Sequence, residues 1–243
     1  MATRAFRLAA LLGLTTCADA LAVRAKLTAC RPGPNLEPPR RQDPVAAPGR
    51  RDVVVKLYDI STPELCTAMS LLAFKPAYWF PKLSVGVGGR TWSYDGEPEE
   101  TYDAIIANAA GGPPLRTWNL GPTSLSDAEI DSLLKEMGNS DYKPEEYDFF
   151  MRNCNHFCYD LSERLAAEGA WSATDAAFMD ERVLHESEAI LNSMPGGTFQ
   201  QSMTRSVTRQ VQKIIVKSWR KEWKRALAEY EESEGIPLES RIS

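Results

Sequence analysis

A cysteine between two asparagines heads the run Arg152-Asn153-Cys154-Asn155-His156-Phe157-Cys158-Tyr159-Asp160-Leu161. Phe157, Leu161 and Leu165 recur at four-residue spacing, which predicts a helix from about Asn155 to Ala167 with that stripe buried. Cys154 then stands at the helix N-terminus, where free backbone N–H groups and the positive dipole end favour a thiolate. Such a thiol attacks a carbonyl carbon and needs a neighbouring base to take its proton and return it to the leaving group. The chain holds 2 histidines, His156 and His185. His156 is two residues from Cys154, about 200° around a helix, so it should point away. His185 lies in a weakly patterned stretch and would have to fold back over the site. Each also has a plain reading as a hydrogen-bonded or surface side chain.

The neighbours of Cys154 each carry two readings. Asn153 and Asn155 could help form an oxyanion site or fix the cysteine loop, and capping the helix with an Asn side chain is the commoner use. Cys158, one turn on, could be a resolving thiol or a small buried core residue. Trp92, Tyr94 and Tyr147 could line a groove or fill the core.

The elements that position this segment are legible in part. Asp52 to Ser61 is β-branched and closes on a polar turn, a strand pattern. Residues 62–80 suggest a short helix and a loop. Leu83–Val87 and Arg90–Asp95 form a hairpin candidate, with Gly88-Gly89 supplying positive φ angles. Residues 96–114 hold Gly96, Pro98, Gly111, Gly112, Pro113 and Pro114 and read mainly as loop. Leu115–Leu120 is a further strand. Ser126-Asp127-Ala128-Glu129 is a capping box, with Ile130, Leu133, Leu134 and Met137 on one face before Gly138. A helix is expected around 180–192, then a Pro195-Gly196-Gly197 break and a long helix over 200–234.

With 243 residues, 43% of them hydrophobic, the chain can bury one sizeable core or one domain with tails. A net charge of -5 argues against a general nucleic-acid binder. The 5 cysteines suggest neither a disulfide framework nor a zinc site, because Cys154 and Cys158 lack a second ligand pair. No apolar run approaches the roughly 20 residues of a membrane span. At the N-terminus, Arg4 and Arg7 precede an apolar run, Leu8–Leu14, and the small-x-small patterns Ala18-Asp19-Ala20 and Ala20-Leu21-Ala22. Together with the Arg- and Pro-rich stretch to Arg51, this reads as a secretory or organellar leader, or as a disordered N-terminus. The 205–227 stretch could touch an anionic membrane surface or pack along the domain.

Taken together, these residues resemble the PPPDE family, the permuted papain-like cysteine peptidases that include desumoylating isopeptidases. The resemblance rests on Val53–Ser61 and on Gly89-Arg90-Thr91-Trp92-Ser93-Tyr94-Asp95-Gly96. It continues through Leu120-Gly121, Tyr147 seven residues ahead of Cys154, and Asn153-Cys154-Asn155-His156-Phe157. It covers about Asp52 to Ala167. It implies an α+β, permuted papain-like domain at 52–168, between a leader at 1–51 and a helical extension at 169–243. It also implies no cofactor and a peptide or ubiquitin-like modifier conjugate as partner, met in the family's usual cytosolic or nuclear setting.

By this resemblance Cys154 is the nucleophile. The family's histidine falls thirteen residues ahead of the glycine matching Gly96, a position occupied here by Leu83. Residues 1–155 contain no histidine, so shifting the alignment supplies none. Loss of a general base typically costs about 100- to 10000-fold in rate. The expectation is therefore a cysteine isopeptidase or peptidase with impaired activity. The alternative is an inactive PPPDE-fold module that binds a peptide or ubiquitin-like protein.

Overall fold

Three valines in succession, Val53, Val54 and Val55, begin the strand around which the sheet is built. In this computed structural model residues 51–61, 66, 70, 79–192, 202, 206, 224–225 and 227–234 are described. The expectations for the leader, for most of 62–80, for Pro195-Gly196-Gly197 and for most of the long helix over 200–234 lie outside the described residues. β1 (Asp52–Asp59) pairs antiparallel with β2 (Pro81–Val87) on one side and with β5 (Arg116–Pro122) on the other. β3 (Arg90–Tyr94) and β4 (Pro98–Thr101) extend the sheet beyond β2, giving the order β4-β3-β2-β1-β5. Gly88 and Gly89, at φ 61° and 95°, make the tight β2–β3 turn that L side chains would strain.

Strand alternation sorts the side chains between two faces. Val53, Val55 and Leu57 share a face with Leu83, Val85, Trp92, Tyr94 and Trp118, all buried. Helix α3 (Cys154–Leu165) covers that face with Phe157, Cys158, Leu161 and Leu165. Tyr94 stacks on Phe157 at 5.4 Å between ring centroids and meets Tyr142 edge-on at 5.2 Å. On the other face, Lys56 is ion-paired with Asp103 of α1 (Asp103–Ala110), and the Tyr58 hydroxyl donates to the same carboxylate at 3.4 Å.

Residues 96–114 depart from the loop expected of them. β4 and α1 occupy most of this stretch, with its glycines and prolines at the element ends. Gly111, at φ 74°, is the C-cap of α1, and Pro98 opens an edge strand where its missing N–H costs no ladder bond. α2 (Asp127–Asn139) has the expected capping box, Ser126 with Glu129, and runs through Gly138.

The helix expected around 180–192 is interrupted at His185. α4 (Ala173–Met179) leads into a π turn at Asp180–Leu184, and α5 (Glu186–Asn192) follows. Met179 and Val183 join the core against α3, so the chain after residue 168 contributes to the same interior. Further on, Tyr230 lies 5.0 Å from the Tyr102 ring, and the Tyr102 hydroxyl donates to Glu231 at 3.3 Å. No described helix is long and apolar enough to cross a membrane.

Burial separates the effects of two substitutions. Phe157 is fully buried among aromatic rings, so Phe157→Ala should cost about 3–5 kcal/mol of stability. Ser126→Ala, which removes an exposed cap, should cost about 1 kcal/mol. Urea denaturation of the two variants measures the difference; equal losses would contradict this account of the core.

Candidate active site

The turn before α3 fixes where Cys154 begins. Asp148 Oδ1 accepts from the backbone N–H of Phe150 at 2.9 Å, and Arg152 N donates to the Asp148 carbonyl at 2.8 Å. Asn153 is the N-cap. Its side-chain oxygen accepts from Asn155 N at 2.9 Å, and its amide donates to the Phe149 carbonyl at 2.9 Å. The helix therefore opens at Cys154 itself, one residue earlier than its hydrophobic spacing suggests.

Asn155 joins this helix to the sheet. Its side-chain oxygen accepts from Leu83 N at 2.8 Å, and its side-chain amide donates to the Pro81 carbonyl at 2.9 Å. Both bonds are buried, and both hold the first residues of β2. The Cys154 thiol points at the same side-chain oxygen, 3.8 Å away. Cys158 donates from Sγ to the Leu83 carbonyl at 3.3 Å. Leu83 thus lies against the cysteine helix, with none of its surface exposed.

Neither histidine takes up the role of base here. His156 Nδ1 accepts from Asn153 N at 3.4 Å and lies 3.1 Å from Asn153 Oδ1, completing the cap. Burial, and then the nearby His185, lower the His156 pKa. The His185 ring nitrogens lie 3.1 Å from Asp180 and 3.0 Å from Glu188. Its ring is 6.3 Å from that of His156, and no hydrogen bond joins either histidine to Cys154.

The electrostatics favour a neutral thiol. Burial raises the Cys154 pKa above its ordinary value, against the pull of Lys82 and of the backbone N–H groups of Asn155 and Cys154. Burial pushes Cys158 up further still. Tyr147 and Tyr94 also hold their protons, chiefly through burial. Among the described residues, no group of three or more His, Cys, Asp or Glu side chains is arranged to hold a metal ion.

Lys82 and Asp95 escaped the sequence reading. Lys82 Nζ lies 3.2 Å from both carboxylate oxygens of Asp95, and the pair is largely buried. The β2–β3 register pairs Val85 with Trp92; carried outward by three residues, it sets Lys82 opposite Asp95. The Gly88-Gly89 turn fixes the hairpin register, and this cross-strand pairing follows from it.

The two asparagines should respond differently to truncation. Asn155→Ala leaves the Leu83 N–H and the Pro81 carbonyl buried without these partners and should cost about 2–4 kcal/mol. Asn153→Ala removes a helix cap and should cost about 1 kcal/mol. Chemical denaturation checks the ranking, and a smaller loss for Asn155→Ala would contradict the bridging role.

The PPPDE putative peptidase domain matches residues 51–172, half of the 243-residue chain. No curated protein matches the chain. The matched span runs from the start of β1 to just past α3, so it takes in the whole sheet and the cysteine helix. In this permuted papain-like α+β fold the strand facing the cysteine precedes it in sequence, as β2 precedes α3 here. By that match and this architecture, the chain belongs to the PPPDE peptidase family.

Proposed function

We propose that this chain is a cysteine peptidase of the isopeptidase type, directed at ubiquitin-like modifier conjugates, with hydrolysis impaired by loss of its general base. The observation that carries the reading is the environment of Leu83. It occupies the family's histidine position, is fully buried against α3, and gives its backbone N–H to Asn155. The only hydrogen-bond acceptor described for the Cys154 thiol is the Asn155 amide oxygen, which is too weak a base to take its proton. A peptide carbonyl set against Cys154 would still meet a nucleophile at a helix N-terminus. The leaving amine, however, would lack the proton that a histidine returns.

The chain's lasting capacity on this reading is to seat an extended peptide, such as the C-terminal tail of a ubiquitin-like modifier, beside a slow nucleophile. The membership in a peptidase family supports the substrate class at its coarsest level, an amide bond. The narrower choice of a modifier conjugate rests on the resemblance to desumoylating members.

Full-length protein should be treated with ubiquitin-like proteins carrying a C-terminal electrophile, comparing wild type, Cys154→Ala and Leu83→His. Wild type should label slowly and only through Cys154. Leu83→His should label faster by about 100-fold or more, the scale of a restored base. Wild-type labelling as fast as that of Leu83→His would contradict the impairment. Failure of every variant to label would contradict the modifier as substrate.

A further inference from the structure

His185 breaks the helical extension beside the start of the cysteine helix, and its ring has partners on both sides of the break. Its backbone N–H donates to the Asp180 carbonyl at 3.2 Å, closing the π turn, and its carbonyl accepts from Ala189 N at 2.8 Å, opening α5. Leu184 before it and Ser187 after it are buried, and Val183 joins the core with α3, so its neighbours hold the ring in place. One ring nitrogen lies 3.1 Å from Asp180 and the other 3.0 Å from Glu188. A neutral imidazole has one N–H and can donate to one of these carboxylates; the protonated ring donates to both.

The third neighbour of this ring is His156, edge-to-face, with centroids 6.3 Å apart and planes at 79°. His156 serves the cap of α3 in its neutral form, because Nδ1 accepts from Asn153 N and a protonated ring has no acceptor. We propose that His156 and His185 form a pH-sensitive latch between the helical extension and the first turn of the cysteine helix, closed while His156 is neutral and released when both rings carry a proton. Two like charges at that separation repel, and the cap loses its acceptor in the same step.

The groups around the pair pull in both directions. Burial, His185 and Arg152 of the preceding turn oppose a proton on His156, whereas Asp160 on α3 and Glu188 on α5 favour it. Asp180 acts on His185 directly and on Tyr159 of α3. The opposition prevails, so the His156 midpoint lies below the ordinary histidine value and the neutral ring belongs to the closed state. The stability that the latch contributes is therefore complete above the ordinary histidine range and is lost as pH falls through the His156 midpoint. The consequence is a first turn of α3, Cys154 included, that is fixed at neutral pH and loosened in acid by an element lying beyond the matched peptidase domain.

The test is histidine ring NMR combined with amide hydrogen exchange on the full-length protein, from about pH 8 down through the His156 midpoint. The chain has 2 histidines, so His156→Gln and His185→Gln assign both ring signals. In wild type, protection of residues 153–158 and 180–192, corrected for intrinsic exchange rates, should fall together as His156 titrates. His185→Gln removes the facing charge and should raise the His156 midpoint by about half a pH unit or more. In His156→Gln the amide can still accept from Asn153 N, as in a capping box, without titrating. Protection of both segments should then hold steady over the same pH range, with every carboxylate still in place. An unchanged His156 midpoint in folded His185→Gln would overturn the proposal, as would a fall in protection that persists in His156→Gln. Should either variant fail to fold, wild type decides alone, and protection of 180–192 that stays constant through the His156 midpoint would overturn it.

Discussion

Two hydrogen bonds from one amide, Asn155 to Leu83 and to Pro81, fix how the cysteine helix meets the sheet. An isolated strand end has backbone groups that must be paired or hydrated, and a helix start has N–H groups in the same condition. Asn155 answers the first and Asn153 the second. Because both asparagines flank Cys154, the cysteine is held from either side and its thiol is turned toward β2. The aromatic packing of Phe157 on Tyr94 and Tyr142 then locks the next turn of the helix. The position of Cys154 is thus set by the two asparagines, with His156 completing the cap.

The chemistry of that seat is different from its geometry. By the family resemblance, a histidine at position 83 would supply a titratable nitrogen. The leucine there adds apolar surface, and burial of the thiol raises its pKa. The favourable influences that remain are the helix N–H groups and the Lys82 ammonium, and they do not outweigh burial. The result is a cysteine at a helix start whose burial opposes its ionisation.

Much of this was legible in the residues. The stripe Phe157, Leu161 and Leu165, the Ser126–Glu129 capping box and the Gly88-Gly89 turn each encode one local geometry, and each is found. Residues 96–114 misled because Gly111 and Pro98 stop or start elements as readily as they make loops; α1 between them is short and its buried Ile105 and Ile106 are adjacent, without helical periodicity to read. The interruption at His185 follows from a π turn that no simple spacing announces. At the site, Cys154, Leu83 and Asn153 could be placed from sequence, whereas the bond from Asn155 to β2 spans more than seventy residues and depends on the folded chain. Lys82 and Asp95 were missed for the same reason: their relation is across strands, and neither residue is unusual alone.

The central expectation is that burial holds the proton on Cys154, where leucine and no base stands at position 83. Thiolate absorbance near the far-ultraviolet edge, titrated in the full-length protein and in Cys154→Ser, measures this directly. The difference between them should show a single ionisation above the ordinary thiol range. Activated cysteines ionise at about pH 3.5 to 7.5. An ionisation of Cys154 in that lower range would show that a working base or counter-charge completes the site, and would contradict the account.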